Sequence, residues 1–285
     1  MKRFLSAIAY TLMFLAIQAI AGMIVTVVYM LIKREPQTEL PIEGTLITML
    51  LFSLISMAVF ILFKWFVPNR AYLRTKPWAV CFWSVIAALG ALVPSLFFQE
   101  LFTPVWPEWI QKIIDEANQQ LSLIMTVPGG YFIVALLAPV VEEMVFRGAV
   151  LRVLLHRDEA HRSTLTVPRS PSKLVAVIIS ALLFAFAHLN PAQMPHAFLI
   201  GLLLGWLYLR TGSILPGIVY HWANNTAAYL MFHLYPDPDA KLSDIISGGT
   251  GTLLLAVAFS LCIFLPALYQ LHLRMKPAEH DDFLI

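Results

Sequence analysis

Residues 130–156 read GYFIVALLAPVVEEMVFRGAVLRVLLH. The stretch exceeds the roughly 20 residues that a helix needs to cross a bilayer, and its apolar character is broken chiefly at Glu142, Glu143 and Arg147. Working outward, similar runs are Phe4–Ile32, Thr45–Val67 and Trp78–Phe98 on one side. On the other are Leu174–Asn190, Pro195–Leu209, Ser213–His233 and Thr250–Arg274. This predicts an all-α polytopic membrane protein of about eight transmembrane helices. The fifth and sixth spans are short and are joined tightly at Asn190-Pro191. Between the third and fourth, Pro107–Met125 places Trp109, Ile113, Ile114, Ala117 and Leu121 at helical spacing among Lys112, Asp115, Glu116 and Gln119. That pattern predicts one amphipathic helix on the membrane surface.

Composition agrees. Hydrophobic residues form 59% of the chain and charged residues 13%, against about 25% charged in soluble domains; the mean hydropathy is +0.77. A net charge of +2 without a basic run gives no basis for binding nucleic acid. Cys81 and Cys262 lie in separate apolar runs and read as packing residues. Lys2-Arg3 followed by apolar sequence imitates a signal peptide, but the run continues to Ile32, so a retained first helix is expected. The positive-inside rule sets orientation. Lys2, Arg3, Lys64, Arg70, Arg74, Lys76, Arg152, Arg157, Arg162, Arg169, Lys173, Arg210, Arg274 and Lys276 all fall on one side. Lys33, Arg34, Lys112 and Lys241 fall on the other. Both termini are therefore expected in the cytoplasm, and the compact loops suit a bacterial plasma membrane. With no repeat and no Gly/Ser-rich linker, residues 1–285 form a single membrane domain.

Ionisable side chains inside a membrane are costly and mark functional sites. All seven Asp residues are in loops, tails or the amphipathic helix, and only Glu142 and Glu143 among ten Glu are deep. Of eight His, only His188 and His221 sit well within spans; His196 is counted with the span ends. Glu143 and Arg147 are four apart and can pair along one helix face. Glu142 points about 100° away and has no such partner on its own helix. Asn225 lies one turn beyond His221. A lone membrane His or Asn commonly bridges helices. Together, an unpaired carboxylate, two imidazoles and an amide are the parts of a hydrolytic site. Glu142 with His188 can activate a water, while His221 and Asn225 can donate to an oxyanion. The short fifth and sixth spans would let that water reach Glu142. Glu, His and His are also a zinc set, although no His-Glu-x-x-His is present. Neither an aspartyl pair nor a Gly-framed catalytic Ser is found. A transporter or a non-catalytic scaffold remains the alternative of another class.

Three segments resemble the signature of the CAAX prenyl protease and bacteriocin-processing family of intramembrane proteases. They are Glu142-Glu143-x-x-x-Arg147, Phe184-x-x-x-His188 and His221-x-x-x-Asn225, the last preceded by the lead-in Thr211–Pro216. The resemblance places a catalytic core at residues 130–234, flanked by helices in 1–129 and 235–285. It implies an eight-helix fold and a glutamate-type endopeptidase without cofactor or metal. Glu142 would be the base assisted by His188, with His221 and Asn225 at the oxyanion and Glu143, Arg147 and Phe184 supporting the site. The implied partners are the lipid bilayer and a membrane-associated protein or peptide substrate, prenylated for the family's eukaryotic members. A scaffold or bacteriocin self-immunity role and a zinc-dependent intramembrane protease are the alternatives.

Overall fold

The computed structural model describes residues 2–34, 40–102, 106–155, 172–235 and 242–275. Among the described residues every regular element is a helix. In chain order these are α1 (Lys2–Lys33), α2 (Ile42–Leu62), α3 (Arg70–Arg74), α4 (Trp78–Phe102) and α5 (Glu108–Thr126). Then come α6 (Pro128–Leu155), α7 (Lys173–Ala187), α8 (Met194–Thr211), α9 (Leu215–Leu234), α10 (Leu242–Ile245) and α11 (Gly249–Arg274). Each of the eight expected spans falls on one of α1, α2, α4, α6, α7, α8, α9 and α11. His156, His161 and His280, with the orientation residues Arg157, Arg162, Arg169, Lys241 and Lys276, lie outside the described residues.

The helices are not equivalent. Helices α1, α2, α4 and α11 are long and apolar enough to cross a membrane alone, and α5 with α6 makes a fifth candidate bent by 108°. The 15 residues of α7 rise only about 22 Å, short of a hydrocarbon core about 30 Å thick. Helix α7 is therefore too short to be a free-standing span. One buried cluster joins α1, α2, α6, α7 and α8 through Phe14, Phe60, Phe146, Phe184 and Tyr208. A second joins α4, α8, α9 and α11 through Ala88, Leu204, Tyr220 and Leu271. Helix α8 belongs to both and is the spine. The outer faces of α1 and α11 expose Leu12, Met23, Leu31, Leu255 and Phe259. Such contiguous apolar surface suits lipid as its solvent.

Close approach in lipid depends on small residues. A β-carbon on Gly90 of α4 would stand 2.7 Å from the backbone nitrogen of Phe264 on α11; there Ser260 Oγ donates to the Gly90 carbonyl at 2.9 Å. The 108° bend between α5 and α6 has a local cause. Val127 precedes Pro128 and is extended (φ −100, ψ 147), because a residue before proline is driven out of the helical region. Helix α5 consequently lies across the bundle, with Trp109 and Ile113 exposed and Ile114, Ile124 and Met125 buried. One face of α5 is apolar and buried and the other polar, as its spacing predicts.

Helix α6 is unusual. Phe132–Leu137 and Phe146–Leu151 are wound as π-helix, with ordinary α-helix over Ala138–Val145 between them. A π turn widens the helix by one residue and releases carbonyls from the regular ladder, a feature concentrated at functional sites. Side chains answer both: Asn225 Nδ2 donates to the Val134 carbonyl at 3.0 Å and Ser180 Oγ to that of Phe146 at 2.9 Å. Glu142 and Glu143 stand on the segment between.

Candidate active site

Arg147 Nη1 donates to Glu143 Oε1 at 2.8 Å, with side-chain exposures of 1% and 0%, the partner that four-residue spacing predicts. Its Nη2 donates to the carbonyl of Gly201 on α8 at 3.2 Å, and its guanidinium lies over the Phe184 ring, 4.3 Å from the centroid. Gly201 is required by packing, since a β-carbon would come within 2.9 Å of Ala181 Cβ on α7. Gly217 of α9 is required by Glu143, because a β-carbon there would stand 2.8 Å from Oε2. Two glycines thus let α8 and α9 close around a buried carboxylate.

His221 completes the arrangement. Its Nδ1 is 3.3 Å from Glu143 Oε1, and its Nε2 is 3.7 Å from Glu142 Oε2. One imidazole therefore spans two adjacent carboxylates of α6, one buried and one 23% exposed. Glu143 is neutralised by Arg147 and accepts from the ring; Glu142 keeps an open face. His188, capping the C-terminus of α7, has Nδ1 2.9 Å from the Phe184 carbonyl. A carbonyl only accepts, so Nδ1 carries the proton and Nε2 of the neutral ring is the acceptor. Phe184 packs edge-on against His188 and His221, with ring centroids 4.7 and 5.9 Å apart, walling the site on one side. Asn225 uses one Nδ2 hydrogen on Val134 and accepts at Oδ1 from Asn224 Nδ2 at 3.2 Å. Its other Nδ2 hydrogen remains for a ligand.

Next to these, Trp222 Nε1 donates to the Tyr131 hydroxyl at 3.2 Å, which lies 3.3 Å from Thr226 Oγ1. This polar clamp ties α9 to the start of α6 and sets the register that brings His221 between the carboxylates.

Contacts link Glu142, Glu143, Arg147, Phe184, His188 and His221, and Asn225 lies one turn beyond His221 on α9, against Val134 of α6. Glu142 stands nearest the imidazole of His221. The structure also adds a residue. His196 stands half-buried in the first turn of α8, after the short connection that follows His188. The signal was the tight Asn190-Pro191 connection, which returns the start of α8 to the end of α7. Among the described residues no three His, Cys, Asp or Glu side chains stand together as a metal site.

Residues 123–227 match the family described as type II CAAX prenyl endopeptidase Rce1-like. Over that segment the chain is similar to the CAAX proteases. A relative in Staphylococcus aureus (strain USA300), the membrane-embedded CAAX protease MroQ, is 21% identical over 184 residues, covering 62% of this chain and 69% of the relative. No solved structure matches. The matched segment runs from the end of α5 through most of α9 and contains all seven of these residues. Helices α1 to α4, α10 and α11 lie outside it.

Proposed function

We propose that the chain is a glutamate-type intramembrane endopeptidase that hydrolyses a peptide bond in a membrane-associated protein or peptide. The observation that carries this is His221 set between a neutralised Glu143 and a partly open Glu142. One carboxylate is committed to structure, leaving the other to work.

In this scheme Glu142 takes a proton from a water as its oxygen attacks the scissile carbonyl carbon. The acceptor Nε2 of His188 helps orient that water. The tetrahedral oxyanion receives the second Nδ2 hydrogen of Asn225 and, when the ring is protonated, Nε2–H of His221. Glu143 holds His221 through Nδ1, much as a carboxylate orients the imidazole of a hydrolytic triad. As the C–N bond breaks, the proton on Glu142 passes to the leaving amine.

The family description and the name of the relative favour a CAAX-type substrate, a protein lipidated near its C-terminus. The site is proposed to work without metal, in a bacterial plasma membrane, with both chain termini cytoplasmic. The test compares protein C-termini in membranes of cells carrying the native chain or Glu142→Ala. A terminus that depends on Glu142 supports proteolysis and identifies the substrate. An unchanged set of termini, with the biological phenotype intact, contradicts it in favour of a scaffold.

A further inference from the structure

The loop after His188 is held from outside the three helices of the site. Leu189 has a left-handed backbone (φ 53), a conformation disfavoured for a bulky residue with a β-carbon. Asn190, the next residue, is buried at 3% exposure. Its Oδ1 accepts from the backbone N–H of Ala192 at 3.1 Å, and its Nδ2 donates to Asn118 Oδ1 on α5 at 3.2 Å. Asn118 is 72 residues away in sequence and belongs to the amphipathic helix that lies across the bundle. A left-handed Leu persists only where its surroundings impose it; backbone bonds from Leu189 to Phe186 and from Gln193 and Met194 to the Asn190 carbonyl hold the loop between α7 and α8, and the amide pair adds a tie to α5.

We infer that Asn118 is a positioning residue for His188: through Asn190 it holds Leu189 left-handed and so fixes the direction of the His188 imidazole. The amphipathic α5 is thereby joined to the loop beside the site by a pair of amides. Without the Asn118 oxygen, the buried Asn190 amide must move to find another acceptor, and Leu189 is released from its strained conformation. The catalytic meaning rests on the proposed role of His188, but the geometry can be tested without it.

The test is modification by diethyl pyrocarbonate of the full chain in lipid nanodiscs, followed by peptide mass spectrometry. His233 is the internal reference: it is exposed, and its Nδ1 is bound to the Tyr229 carbonyl at 2.9 Å, just as Nδ1 of His188 is bound to Phe184. Asn118→Ala is expected to raise the His188-to-His233 rate ratio about fivefold, the factor for one net hydrogen bond. Adding Leu189→Gly to Asn118→Ala should return the ratio to the native value, because glycine is left-handed without strain. A ratio within twofold of native in Asn118→Ala, or no return on adding Leu189→Gly, overturns the inference. In cleavage assays Asn118→Ala should lower kcat and leave KM unchanged. Lost cleavage with an unmoved ratio would reject the positioning role while leaving the protease intact. A native chain that cleaves nothing would sink the proposed function, yet the modification ratio would still decide this point.

Discussion

Arg147→Met keeps much of the side-chain length and removes the charge, leaving the Glu143 carboxylate buried at 0% exposure with only His221 beside it. Breaking a buried ion pair by deleting one partner costs about 3–5 kcal/mol. The Gly201 carbonyl keeps its helical donor and loses only its second one, about 1 kcal/mol, and the cation over Phe184 disappears, about 1–2 kcal/mol. These losses overlap, because one guanidinium makes all three contacts, and a protonated His221 can offset part of the orphaned charge. The net loss should still reach about 3 kcal/mol. Glu143→Gln combined with Arg147→Met leaves no unpaired charge and should be about 2 kcal/mol more stable than Arg147→Met alone. Reversible unfolding in mixed micelles, followed by circular dichroism, measures all the variants. An Arg147→Met protein within about 1 kcal/mol of native, or single-mutant losses that simply add in the double mutant, would refute the buried-pair reasoning.

Gly217→Ala puts a methyl group 2.8 Å from Glu143 Oε2 and should cost about 1–3 kcal/mol in the same unfolding assay, with cleavage falling as His221 is displaced. Tyr131→Phe removes the acceptor for Trp222 and the contact with Thr226; it should cost about 1 kcal/mol and lower kcat more than it raises KM. Purified protein stripped with a chelator should retain cleavage, measured beside elemental analysis; stoichiometric zinc whose removal abolishes turnover would instead make Glu142 and the imidazoles metal ligands.

The helices were legible because apolar runs bounded by Pro, Gly and charges are a strong signal in lipid-facing sequence. The Glu143–Arg147 pair was legible because helix geometry alone brings residues four apart together. The bridging of Glu142 and Glu143 by His221 was not. It depends on a contact spanning 78 residues and on an imidazole whose two nitrogens reach opposite carboxylates, so side chains pointing about 100° apart still share a partner. The two π stretches of α6 were invisible too, since periodicity assumes a regular turn, and their carbonyls are satisfied by Asn225 and Ser180 from other helices. Asn225 was expected at an oxyanion or as a bridge between helices, and one of its hydrogens does bridge to Val134 of α6. His196 was discounted by its place near a Pro at a span end, where depth in the membrane cannot be read from position along the chain. The same blindness hid Asn118, which reads as part of the polar face of a surface helix until the fold sets it against Asn190.

The initial cleavage rate of purified Glu142→Gln beside native protein in the same lipid tests the proposed base most directly. Glutamine keeps the size of the side chain and cannot take up the proton of an attacking water. Its kcat should fall by about 10²–10⁴, the range for a lost general base, while the fold and substrate binding persist. Turnover within a few fold of native would show that the carboxylate of Glu142 does not activate the water.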